Sequence, residues 1–139
     1  MCIRDSNRDV PLVEMDQISY EVKMKVEGDL LHYFITGERD FRSSYLMWRR
    51  IYQDCAEFGI YKVRATVLLN GILDRMEIPL LIHKLIELND STPITCAWVD
   101  HNAQSFLDNL VGEKIPRPET MNIQIFNNEK DAEEWLANF

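Results

Sequence analysis

Asp100-His101-Asn102 is the stretch of this 139-residue chain best equipped for chemistry. A carboxylate beside an imidazole can move a proton or hold a cation, and Asp74, in an earlier loop, could complete the set. The bland alternative carries more weight: Asp100 makes a turn, Asn102 caps a helix and His101 stays wet, with no Ser or Cys nucleophile beside them. His32, in an alternating segment, and His83, between Ile82 and Lys84, read as surface or satisfied structural histidines. Cys55 falls on an apolar helical stripe and Cys96 within an apolar strand, neither with a second Cys or a His at ligand spacing. Both are expected to be buried and inert, which argues against a zinc or disulfide framework and suits a reducing, cytoplasmic setting. Asn70-Gly71 makes turn chemistry, since a lone Gly forms no amide nest for phosphate, and no cofactor motif is present. Trp48, Trp98 and Trp135 stand at helix and strand spacing and are expected in the core. Arg39, Arg42, Arg49 and Arg50 could form a basic face, although a solvated helix face is commoner.

The elements that must position these residues follow from periodicity. Ile18 to Val26 alternates apolar and polar residues, Glu27-Gly28-Asp29 supplies a turn, and Leu30 to Thr36 returns as a second strand. Beyond Gly37, Ser43 or Ser44 can cap a helix with the stripe Trp48, Ile51, Tyr52, Cys55 and Phe58, stopped by Gly59. Lys62 to Leu69 is a third strand, parallel to the second because a helical crossover joins them. Ile78, Leu81, Ile82 and Leu85 form the next stripe. There Asp74 and Glu77 have capping-box spacing, but Pro79 would break a helix begun that early, so a start near Arg75 or Met76 is expected. Ile94 to Val99 is the least polar strand and should be covered on both faces. Asn102 caps a short helix with Phe106, Leu107 and Leu110 inward, ended by Gly112. After Lys114-Ile115-Pro116-Arg117-Pro118, Met121 to Phe126 is the last strand, and Glu129 to Asn138 closes as a helix docked through Ala132, Trp135, Leu136 and Phe139. For that docking Trp135→Ala is expected to cost ~3–5 kcal/mol.

The expectation is therefore one α/β domain over residues 15–139, a mixed sheet in the order β-β-α-β-α-β-α-β-α, behind a leader of residues 1–14. Met1-Cys2-Ile3-Arg4-Asp5-Ser6 resembles the in-frame translation of a transposase mosaic-end sequencing adaptor, and Met15 is one candidate natural start. A different codon series in the nucleotide record would sink the adaptor idea. Fifteen Lys plus Arg against 23 Asp plus Glu give a net charge of −8, a surface that repels nucleic-acid backbones and anionic lipids. No apolar run approaches a membrane span.

Hairpin followed by successive strand-helix units, finishing in Asn122-Ile123-Gln124-Ile125-Phe126 and then Ala132-Glu133-Glu134-Trp135-Leu136, resembles the STAS-like (SpoIIAA-like) proteins over roughly Met15 to Phe139. The resemblance implies a mixed sheet packed by helices and a regulatory role in binding other proteins, with no family-wide catalysis. It also implies a phosphorylatable Ser in the loop after the third strand, but Asn70-Gly71-Ile72-Leu73-Asp74-Arg75-Met76 holds no Ser or Thr. A partner-switching role of that type is therefore not carried over.

Ligands of open α/β sheets sit beyond the strand carboxyl ends. The expected interaction rim is Asn70, Gly71, Asp74, Arg75, Asp100, His101 and Asn102, and the expected occupant is another protein. A small apolar molecule or lipid is the alternative, motivated by the aromatic content and a distant likeness of the fold to lipid-binding domains.

Overall fold

Residues 19–139, with the backbone of Ile3–Asp5, are described by the computed structural model. The elements are β1 (Ile3–Asp5), β2 (Tyr20–Glu27), β3 (Leu30–Glu38), α1 (Phe41–Phe58), β4 (Lys62–Asn70), α2 (Glu77–Asn89), β5 (Ile94–Asp100), α3 (Ala103–Glu113), β6 (Met121–Phe126) and α4 (Glu129–Leu136). From β2 onward the expected element order is present throughout. Ile18, Met15 and, apart from the β1 backbone, the adaptor-like segment lie outside the described residues.

Among the described residues the strands form a six-stranded mixed sheet in sequence order. Tyr20, Val22 and Met24 are buried while Glu21 and Lys23 are wet, and this alternation pairs β2 antiparallel to β3, with Val22 opposite Ile35. Gly28 turns the hairpin at φ 61°. Helical crossovers make β3, β4, β5 and β6 parallel neighbours. Because each crossover advances the sheet in the same direction and is right-handed, α1, α2 and α3 share one face. On that face Met47, Trp48, Ile51 and Leu85 meet Leu31, Tyr33, Val63, Ala65, Val67, Cys96 and Trp98. The Trp48 and Trp98 rings stack 5.1 Å apart, tying α1 to β5.

Among the described residues helix α4 alone covers the other face, where Ala132 and Leu136 meet Ala97, Val99 and Phe126. Strand β5 is thus covered on both sides, as its composition demands. Within α4 the stripe is only half right. Trp135 is partly buried against Phe126, and Phe139 is exposed. Leu136, 4% exposed, carries the docking, so Leu136→Ala should lower stability by about 2–5 kcal/mol and Trp135→Ala by less. Urea titration of the two variants decides which residue seats the helix.

Helix boundaries shift where short polar residues had several possible roles. Asp40 is the N-cap of α1, accepting the Ser43 backbone N–H at 2.7 Å, while Ser43 and Ser44 lie inside the first turn. Helix α2 begins at Glu77, later than Arg75 or Met76, and this reconciles both sequence signals. Asp74 accepts from Met76 N, Glu77 Oε1 accepts from Asp74 N, and Pro79 falls within the first turn. Helix α3 runs through Gly112 to Glu113. Gly112 sits within it because a Cβ would stand 3.1 Å from Ile78 Cγ2. Arg39, Arg42, Arg49 and Arg50 form neither a joint basic face nor a uniformly solvated one: Arg39 and Arg50 turn inward, Arg50 onto the buried Asp54 at 3.0 Å.

Candidate interaction site at the strand carboxyl ends

Three parallel strands deliver their following residues to one rim. Arg39 after β3, Gly71 after β4 and Asp100 at the end of β5 meet there, with Arg39 N donating to Asn70 O at 2.9 Å. The Arg39 guanidinium donates to Asp100 Oδ2 at 3.3 Å, to Ser105 Oγ at 3.1 Å and to Gly71 O at 3.3 Å. Asp100 Oδ2 also accepts from Ser105 Oγ and Asn109 Nδ2, both at 2.7 Å, while Oδ1 accepts from Asn102 N at 3.0 Å. The Asp100 side chain is wholly buried and that of Arg39 is 5% exposed. A wholly buried carboxylate held by four donors, one of them cationic, is placed to tie elements together. The cluster is a latch joining β3, the β4–α2 loop, β5 and α3.

The structure separates the residues of the Asp100-His101-Asn102 triplet. Asn102 caps α3 through Gln104 N and Ser105 N, and its Nδ2 holds the carbonyls of Leu69 and Gly71. His101 turns toward α4, its Nε2 3.5 Å from Glu129 Oε1. Asp74 is exposed, and its hydrogen bonds stay within Asp74–Glu77. Asn70 Nδ2 donates to Glu38 Oε1 at 3.3 Å, and Arg75 is exposed. Periodicity missed Arg39, Ser105 and Asn109, which complete the latch. The one available signal was the position of Arg39 directly after a parallel strand.

Beside the rim is an apolar surface that the helical stripes did not foretell. Met76, Leu80, Leu107 and Val111 are 60–77% exposed, and Ile72 is exposed with them. Leu107, expected inward, faces out because α3 turns Ser105 and Gly112 toward the latch and Ile78. A hollow of about 190 Å³ opens between α2 and α3, lined by Arg75, Ile78, Pro79, Asp108, Val111 and Ile115. These exposed apolar side chains lie on or next to the two helices that border the hollow, and exposed apolar patches mark contact sites. An inner cavity of about 80 Å³ lies deeper, bounded by Trp48, Leu85, Trp98, Gly112 and Ile123.

On the opposite face, the buried His32 belongs to a separate network. His32 Nε2 lies 2.9 Å from Thr66 Oγ1 and accepts from Arg64 Nε at 3.3 Å, while Nδ1 lies 3.1 Å from Arg64 Nη2 and 3.3 Å from Glu27 Oε1. Thr66 in turn donates to Glu129 Oε1 at 2.6 Å. Burial, then the Arg64 charge, hold His32 below the ordinary histidine pKa of 6.5 despite Glu27 nearby. The unfolded chain therefore binds the proton first. Stability from this site is present above pH 6.5 and is lost as pH falls below it. His32→Gln should flatten that limb of a plot of urea midpoint against pH, and an unchanged slope would contradict the assignment.

Burial pushes the Cys55 thiol up to about 12 and raises Cys96 as well, so neither supplies a thiolate nucleophile. Among the described residues no group of three or more His, Cys, Asp or Glu side chains is placed to hold a metal, and no helix is long and apolar enough to cross a membrane. Comparison with protein-family models and with curated proteins gives no match.

Proposed function

We propose that the chain is a non-catalytic protein-interaction domain of the STAS-like type, binding its partner through the α2–α3 apolar surface and the adjoining rim from Asn70 to Met76. The observation that carries it is the exposure of Met76, the N-cap of α2, of Leu80 on α2, and of Leu107 and Val111 on α3. The charged groups of the same rim support the proposal in the opposite sense, since Asp100 and Arg39 are spent on each other. What the rim offers a partner is apolar area with Arg75 and Asp108 at its border. With no Ser or Thr between Asn70 and Met76, its affinity would not be set by phosphorylation of that loop.

The test is native affinity capture with the wild-type chain, with Leu107→Glu combined with Val111→Glu, and with His83→Glu as a surface control. The expected result is a reproducible partner retained by wild type and control but lost from the double variant. A partner captured equally by all three, or none at all, would overturn the proposal.

The 80 Å³ inner cavity favours a second reading, carriage of a small apolar ligand. It is much smaller than the roughly 300–1,000 Å³ of drug-sized sites, so a lipid would need α2 to move away from α1 and α3. Native mass spectrometry showing a co-purified apolar ligand would promote this reading over the first.

A further inference from the structure

Strand β6 ends the sheet, and its own sequence does nothing to guard that edge. Met121-Asn122-Ile123-Gln124-Ile125-Phe126 contains no charge, no Pro and no Gly. It combines strong strand-forming residues with neutral amides, the composition that readily stacks edge to edge with copies of itself. Ile94 N donates to Thr120 O, and strand groups alternate in direction, so the odd-numbered residues of β6 present their N–H and C=O away from β5. Side chains from the preceding helix and loop occupy these groups. Arg117 donates through Nε to Met121 O at 3.2 Å and through Nη2 to Ile123 O at 2.7 Å, and Glu113 Oε2 accepts from Ile125 N at 2.7 Å. Arg117 Nη1 is braced on Glu113 O, also at 2.7 Å.

We propose that Glu113 and Arg117 form a clamp that prevents β6 from pairing with β6 of a second copy of this chain. Two identical edges related by a two-fold axis must run antiparallel. Centred on Ile123, that pairing would send the Ile123 N–H to the Ile123 carbonyl of the second copy and the Ile125 N–H to its Met121 carbonyl. Both acceptors are the ones Arg117 holds, and the second donor is the one Glu113 holds. The clamp therefore occupies the groups that this register needs, which a side chain placed only for packing has no reason to do.

The experiment follows mass against concentration by light scattering, with far-UV circular dichroism to confirm folding. Wild type should stay at 16.4 kDa, while Glu113→Ala combined with Arg117→Ala should rise toward twice that value with concentration. In the clampless chain the Ile123 amide should gain hydrogen-exchange protection as concentration increases. Adding Asn122→Lys and Gln124→Lys, which face each other across the proposed pairing, should restore the monomer through like-charge repulsion. Should the clampless chain fail to fold, Arg117→Lys serves instead. It keeps the stem and charge but cannot hold two carbonyls in one fork, so it should associate more than wild type. A folded clampless or Arg117→Lys chain that stays monomeric would overturn the proposal. So would association indifferent to the added lysines, or a wild-type chain already paired through β6.

Discussion

Asp100→Ala should lower the unfolding free energy by about 3–5 kcal/mol, the usual penalty for removing one member of a buried ion pair. The substitution strands the Arg39 guanidinium, whose side chain is 5% exposed, with Gly71 O and Ser105 Oγ as its remaining acceptors. It also removes the acceptor of Ser105, Asn109 and Asn102 N. A domain of this size has roughly 5–15 kcal/mol in total, and at a slope near 2 kcal/mol per molar urea the midpoint should fall by about 2 M. The decisive companion is Arg39→Met combined with Asp100→Asn. With both charges gone no desolvated ion is left behind, and most of the loss should be recovered. If the double variant is recovered and still captures the same partner, the pair is architecture and the adjoining apolar surface does the binding. If the double variant is stable but partner capture is lost, one of the two charges reaches the partner and the assignment of the latch as purely structural fails.

The difference between what periodicity revealed and what it hid lies in the range of the interactions. Alternation from Tyr20 to Val26 is written locally, because one face of β2 is wet and the other dry, and Val63, Ala65, Val67 and Leu69 mark the dry face of β4 in the same way. Sheet direction followed from the crossovers, and the rim followed from direction, since parallel strands must present their carboxyl ends together. The Arg39–Asp100 contact joins residues 61 apart in sequence, and no local pattern encodes it. Its consequences propagated into the errors on α3. A helix that turns Ser105 and Gly112 inward has its polar and small residues where a hydrophobic stripe predicts solvent, so Leu107 lies on the surface and not in the core. The exposed apolar surface of α3 escapes periodicity for the same reason as the latch, since both are set by long-range geometry.

Gly37→Ala should be the other severe substitution, at about 2–4 kcal/mol. Gly37 lies at φ 125°, where side-chain-bearing residues carry roughly 1–3 kcal/mol of strain, and an added Cβ would stand 2.2 Å from the Ser19 carbonyl oxygen. That oxygen cannot withdraw freely. It accepts from Glu38 N at 3.2 Å, while the Ser19 hydroxyl reaches Asp40 and its backbone N–H donates to Ser43 Oγ at 3.0 Å. Displacing Ser19 therefore disturbs the cap of α1, worth about 1 kcal/mol by itself. Gly28→Ala provides the control: φ is again positive, at 61°, but nothing lies within 4 Å of the added Cβ, so only the backbone penalty of about 1–2 kcal/mol applies. Hydrogen exchange separates the two. Gly37→Ala should speed exchange of the Ser43 amide, which Asp40 holds at 2.7 Å, and Gly28→Ala should leave it unchanged. Equal losses in the two variants, with no change at Ser43, would mean that the β2–β3 approach at Gly37 is not what positions the first turn of α1. Arg39 would then be held in place by its own bonds to Asn70, Gly71, Asp100 and Ser105, without help from that approach.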